Sequence, residues 1–402
     1  MFWRFAAYGF LKNLRLFEPF LILFFREQGL TFFQIGVLYT VRELTTNLLD
    51  IPTGVLADTV GRRVTMVLSM LTYILSFAIF TLTSSFYPFA LAMFLYGLGD
   101  ALRSGTHKAL ILAYLRMRGW SHLKVEYYGG TRSWSQRGSA LNVLLAAILV
   151  FFTRTYRWVF ALSAIPYIIN LLNLATYPAK LDELVKRGKR REGKWGIISL
   201  FSFVRSPDYL RALMNSSLYV GLFKGTKDYL QPVLKALALS FPLFLYIGGE
   251  RRTAVAVGIV YGVIYVLNSV ASENSYRLKS ALRGREGLAI NLTYALGSAA
   301  VMGAGITFHL SITWLAVLMF LLLYVVQNLR MPITLSYITG TVPEEKVATA
   351  LSVESSARTL YAAILSPILG LLADHFGVGV ALAVVGAFTF LLTPLVSVRD
   401  RE

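Results

Sequence analysis

Apolar stretches long enough to cross a bilayer recur along the whole chain, with short polar breaks between them. A helical span needs about 20 mostly apolar residues. The pattern predicts twelve, near 4–25, 32–55, 62–83, 86–112, 128–152, 156–177, 207–234, 252–275, 287–308, 311–338, 346–371 and 376–397. Only His309 and Leu310 separate the ninth from the tenth, so that turn must be tight. Leu237–Ile247 is apolar but too short to span, and it extends the seventh helix or lies at the outer surface. Trp195–Val204, apolar after a basic run, reads as an interfacial helix. The longest polar stretch divides the chain into halves of six spans each: 1–177 and 207–402, joined by a linker over 178–206. The expected fold class is therefore an all-α membrane protein with twelve transmembrane helices.

Polar positions inside these spans carry the functional information. Lys12, Arg15 and Glu18 interrupt the first span, with Pro19 a kink point, and Arg42 and Glu43 the second. Asp100 and Arg103 lie in the fourth, Arg132 and Arg137 in the fifth, Lys224, Lys227 and Asp228 in the seventh. Arg330 lies in the tenth, and Glu354 and Arg358 in the eleventh. A charge at bilayer depth costs about 2.5 kcal/mol or more, so it faces water, a partner or a substrate. Residues three or four apart share a helix face. Asp100, Arg103 and His107 form one such group; Arg132, Gln136 and Ser139 a second; Lys224, Lys227, Asp228 and Gln231 a third. In the third, Lys224 and Asp228 have pairing distance, which leaves Lys227 as the spare cation. Glu354 and Arg358 have the favourable order for an i,i+4 pair. With Lys108 included, the interior holds eleven basic and five acidic side chains. Buried charge needs neutralising, and a bound anion is the simplest supply; Arg offers a planar fork suited to carboxylates and oxyanions.

Composition agrees with the membrane reading: 56% of the 402 residues are hydrophobic and only 15% charged, against about 25% in soluble proteins. The absence of cysteine removes disulfide and thiol chemistry. Four histidines leave little for a metal site, no catalytic or phosphate-loop motif occurs, and no cofactor is implied. The net charge of +18 would suggest nucleic acid in a soluble protein. Here the basic residues concentrate in alternate loops, which places both termini and the central loop in the cytoplasm and makes nucleic acid an unneeded partner. No cleavable signal peptide is expected. A monomer in the bilayer is expected.

After the second span the chain reads Gly54-Val55-Leu56-Ala57-Asp58-Thr59-Val60-Gly61-Arg62-Arg63. This resembles the G-x-L-A-D-x-x-G-R-[RK] signature that the major facilitator superfamily carries between spans 2 and 3. The resemblance implies two six-helix halves related by a pseudo-two-fold axis along the membrane normal, with spans 1, 4, 7 and 10 lining a central path. It also implies that Asp58 and Arg62 act in a cytoplasmic latch. Gly54 and Gly61 are expected to permit close helix approach and a tight turn, and Arg63 to pair at a neighbouring helix end. A degenerate echo, Gly370-Leu371-Leu372-Ala373-Asp374-His375-Phe376-Gly377, precedes span 12 and is read as helix packing by small residues. Span 5 lacks the proline of the drug–proton antiporter motif.

Together these features predict a secondary transporter of a small inorganic or organic anion, working by alternating access. Its expected substrate-binding residues are Arg15, Arg103, Arg132, Gln136, Lys224, Lys227, Arg330 and Arg358. Glu18, Glu43, Asp100, Asp228 and Glu354 are the expected proton-coupling or gating acids. The alternative is a multidrug or lipid exporter in which the same charges serve only as gates.

Overall fold

The computed structural model describes residues 1–178, 181, 206–240 and 248–400. The interfacial helix expected at Trp195–Val204, most of the linker 178–206 and the end of the Leu237–Ile247 stretch lie outside the described residues. The chain forms two compact units, Met1–Leu30 with Val41–Gly193, and Thr31–Thr40 with Lys194–Glu402.

In the first unit the helices are α1 (Phe2–Lys12), α2 (Leu21–Glu27), α3 (Phe32–Thr59, whose start belongs to the second unit), α4 (Arg62–Leu82), α5 (Phe86–Arg103), α6 (Thr106–Met117), α7 (Lys124–Thr153) and α8 (Trp158–Ala175). In the second they are α9 (Pro207–Thr226), α10 (Leu230–Ser240), α11 (Gly249–Glu273), α12 (Ser275–Ala281), α13 (Glu286–His309), α14 (Thr313–Gly340), α15 (Val347–Leu391) and α16 (Thr393–Val396). Among the described residues, seven helices are long and apolar enough to cross a membrane by length and composition. Their outward faces are apolar: Leu68, Leu71 and Leu75 on α4, and Leu288, Leu292 and Leu296 on α13, are exposed at helical spacing. Such stripes suit hydrocarbon rather than water. Inside the first unit, Phe24, Phe80 and Phe17 pack on Phe160 with ring centroids 4.6, 4.7 and 5.1 Å apart.

Three spans expected to be continuous are broken. The first stops at Lys12 and resumes through a short 3-10 turn at Glu18–Phe20. The break thus precedes Pro19 and takes in Asn13 to Phe17. The fourth breaks at Ser104 and Gly105, where Gly105 adopts a left-handed conformation (φ 66°) that glycine adopts without steric cost. The seventh passes through a 3-10 turn at Lys227–Tyr229. Conversely, the eleventh and twelfth spans run on as α15 across a non-helical Gly377 (φ 84°). The tight turn between spans 9 and 10 is Leu310 to Ile312, with Ser311 at positive φ.

Candidate functional site

Breaking α1 leaves carbonyls without intrahelical donors, and neighbouring helices supply them. Tyr167 Oη donates to the Lys12 carbonyl at 2.9 Å, and one turn earlier Asn170 Nδ2 adds a second donor to the Tyr8 carbonyl at 3.3 Å. Asn13 Nδ2 donates to the Ser135 carbonyl at 2.8 Å. The crossing of α1 with α7 is close because glycine sits at each contact. A Cβ on Gly138 would strike the Phe10 carbonyl, one on Gly9 the Ser135 hydroxyl, and one on Gly130 the Phe2 ring. The Lys12 end of α1 is thereby fixed beside the Arg132–Ser135 turn of α7.

Behind this turn lies a hub centred on Asp100, which is 9% exposed. Its Oδ1 accepts from Tyr73 Oη at 2.6 Å and Arg103 Nη2 at 3.0 Å; its Oδ2 accepts from Arg42 Nη2 at 3.3 Å. Arg103 Nε also donates to Tyr73 Oη at 3.2 Å. Arg42 lies over the Tyr96 ring at 4.7 Å, a cation–π contact. One carboxylate thus serves two guanidiniums, and the hub keeps a net positive charge.

Arg103 faces a cavity of about 470 Å3 contained in the first unit. Its basic lining residues are Lys12, Arg103, Lys108 and Arg132, and among the described residues none that lines it is acidic. Tyr8, Tyr128, Thr131, Ser135 and His107 complete the polar wall, with His107 stacked on Tyr8 at 4.0 Å. The break at Gly105 places His107 on a new helix, yet both Arg103 and His107 reach this cavity. Gln136 is exposed and outside its lining. Arg15 lies in the unwound stretch, within electrostatic reach of Asp100, Glu18, Tyr96 and Tyr167. Glu43 lies near Arg42.

In the second unit the pairing differs from the expected one. Lys227, expected to be the spare cation, holds Asp228 Oδ1 at 2.6 Å, while Tyr39 Oη donates to Oδ2 at 3.0 Å. Lys224 Nζ reaches Thr359 Oγ1 at 3.4 Å. The 3-10 turn at this point abolishes the α-helical spacing on which the Lys224–Asp228 pair was predicted. Glu354 pairs with Arg358 at 3.4 Å and accepts from Ser216 Oγ at 2.7 Å. Arg330, 2% exposed, donates to the carbonyls of Ile290 (2.5 Å) and Asn215 (3.3 Å), and to the Asn215 side chain. It also lies over the Tyr219 ring at 4.5 Å. These contacts engage both of its terminal nitrogens, and it also lines a cavity of about 80 Å3 with Gln327, Glu354 and Arg358.

At the loop after α3, Arg62 pairs with Asp58 at 3.2 Å and Arg63 donates to the Tyr177 carbonyl at 2.9 Å. Gly61 (φ 123°) makes the tight turn, but among the described residues a Cβ on Gly54 would meet nothing within 4 Å, so the expected close approach is not found there. The echo does pack closely: a Cβ on Gly370 would strike the Phe32 carbonyl. Asp374 does more, accepting from the backbone N–H of Phe32 and Phe33 at 2.8 and 2.7 Å. Tyr73 and Tyr167 carried no signal in the sequence, since a tyrosine in an apolar span reads as an anchor or as packing.

Helices broken within apolar spans, an apolar outer surface and an open, cation-lined cavity define a polytopic membrane transporter. The chain matches the Major Facilitator Superfamily over residues 6–353, and it belongs to that family. It is 23% identical over 409 residues to the uncharacterized MFS-type transporter YxaM of Bacillus subtilis (strain 168), covering 98% of this chain and 94% of that one. Among solved structures, the nucleoside transporter NupG superposes with a TM-score of 0.78 at 12% identity, over 98% of both chains. A D-xylose-proton symporter superposes at 0.68 and 16%, over 99% and 96%. A peptide transporter POT in complex with sulfate does so at 0.69 and 13%, over 98% and 94%. The chain is thus a multi-pass membrane protein and a secondary transporter of the MFS type, not an enzyme.

Proposed function

We propose that this transporter carries a small inorganic or organic anion by rocker-switch alternating access, with the cavity of the first unit as the anion's seat. The observation that carries the reading is the lining: among the described residues, four basic side chains and no acidic one surround about 470 Å3. The nearby carboxylate, Asp100, is already shared by two guanidiniums and a phenol. Lys12 and Arg103 are partly buried and Lys108 and Arg132 more exposed, and an anion compensates the positive charge gathered there. Arg103 and Arg132 present forks, while Lys12 and Lys108 act as point charges. A coupling proton, in this reading, is taken up by one of the interior acids, Glu18, Glu43, Asp100, Asp228 or Glu354. Uptake indifferent to a pH gradient overturns that part. Both termini face the cytoplasm in the same reading, because the basic loops belong on that side.

The test is a melting-temperature screen of purified protein at constant ionic strength. Phosphate, sulfate, nitrate and short carboxylates are compared with uridine and xylose, and the best ligand is then followed into proteoliposomes. An anion should raise the melting temperature and be taken up. Uptake of a neutral solute with every anion inert overturns the proposal.

A further inference from the structure

We propose that Asp374 is a releasable cap on the N-terminus of α3, a positioning residue that holds one state of the transport cycle. The first N–H groups of a helix have no intrahelical acceptor, and the terminus carries partial positive charge. Thr31 caps its own helix, its Oγ1 accepting from the Gln34 N–H at 3.2 Å while its N–H donates to Gln34 Oε1 at 3.0 Å. The acceptor for the two N–H groups left over comes from a residue more than 340 positions away in sequence. The two Asp374 oxygens divide between the N–H of Phe32 (2.8 Å) and that of Phe33 (2.7 Å). Charge-assisted bonds of this kind are about twice as strong as neutral ones.

The approach is built around the cap. Gly36 lies so close to Ser366 and Pro367, and Gly370 to Phe32, that a Cβ at either would collide with backbone. Thr40 Oγ1 donates to the Ala363 carbonyl at 2.5 Å, one further turn along each helix pair. Phe32 stacks on Tyr229 at 5.7 Å and 25°. These contacts all lie within the second unit, which includes Thr31–Thr40. Yet α3 is one helix, and from Val41 onward it belongs to the first unit. Any rearrangement that carries α3 with the first unit must therefore draw Phe32 and Phe33 off Asp374. The cap itself is two hydrogen bonds, so it can be broken and remade.

The residue's setting supports a dedicated role. Asp374 closes the pentad Gly370-Leu371-Leu372-Ala373-Asp374, and Asp58 closes Gly54-Val55-Leu56-Ala57-Asp58 at the end of α3 itself. In this structure Asp58 is held by Arg62, while Asp374 is spent on the helix end. The same short pattern thus occurs twice, and its acid at the second site supplies the acceptors that the helix's own Thr31 cap leaves out.

The chain contains no cysteine, so an introduced one reports without background. Ile35, one turn into α3 and 1% exposed, is replaced by Cys in the full-length protein, and its rate of labelling by N-ethylmaleimide is measured. Val301→Cys, at a fully buried site on α13, is the control. Adding Asp374→Ala should raise labelling at position 35 by about 3- to 30-fold, the loss expected for an N-cap, and leave position 301 unchanged. Asp374→Asn, which keeps one acceptor oxygen, should fall between. Labelling at 35 unchanged by Asp374→Ala overturns the proposal. An equal rise at 301 also overturns it, since that is general loosening of the fold.

Discussion

Replacing Arg103 by glutamine separates the anion-binding role of the cavity from the structural role of the hub behind it. Arg103 spends N–H groups on Asp100 and Tyr73 at 3.0 and 3.2 Å, and the rest of its guanidinium lines the cavity. Glutamine keeps polarity but is shorter, and it removes the charge and the fork. A hydrogen bond to a charged group contributes about 1.5–3 kcal/mol net. At about 1.4 kcal/mol per factor of ten, anion affinity should fall roughly 10- to 100-fold. Folding should suffer less, because Asp100 retains Arg42 at 3.3 Å and Tyr73 at 2.6 Å; a loss of about 1 kcal/mol is expected. Asp100→Asn is the complementary change. It strips the shared partner from two partly buried guanidiniums and should cost about 1–3 kcal/mol of stability, yet leave anion affinity equal or higher, since two cations lose their competitor. The assay is anion-dependent melting of both variants, with uptake in proteoliposomes. Arg103→Gln binding anions within about twofold of the parent refutes the reasoning, and so does Asp100→Asn losing affinity while Arg103→Gln keeps it.

Three other outcomes are expected. Gly138→Leu should separate α1 from α7, because its side chain meets the Phe10 carbonyl; overpacking of this kind costs about 1–3 kcal/mol, and unchanged melting would contradict the assigned crossing. Arg330→Met should destabilise the second unit by about 1–3 kcal/mol for each buried acceptor it abandons, read by detergent unfolding; full stability with lost anion binding would move Arg330 from scaffold to substrate contact. Asp58→Asn should slow turnover in proteoliposomes while leaving anion-induced melting shifts intact, and an equal loss of both would remove the latch role from that acid.

Hydropathy alone determined that this chain is a polytopic helical membrane protein, because a span is a local property: about 20 apolar residues suffice. The pentad before Gly61 and the basic loops pointed to the family, and the surplus of interior cations pointed to an anionic ligand. Helical spacing also placed Glu354 with Arg358 correctly, since an i,i+4 pair is decided within one helix. Spacing failed wherever the helix itself gave way. The 3-10 turn at Lys227–Tyr229 gave Asp228 to Lys227, and the break at Gly105 set His107 on a different helix from Asp100. Only the tertiary structure decided which cations are spent and which face space. Arg330 gives N–H groups to carbonyls of α9 and α13 beside a cavity of about 80 Å3, Arg42 is held by Asp100, and Arg103, also bonded to Asp100, lines the cavity of about 470 Å3 with Arg132. The same holds for Asp374, whose acceptors were legible as a motif but whose donors lie at the start of another helix. Pairings between segments far apart in sequence depend on where helices meet, and that is settled by close glycine contacts and by the needs of broken backbone, neither of which is written in any single span.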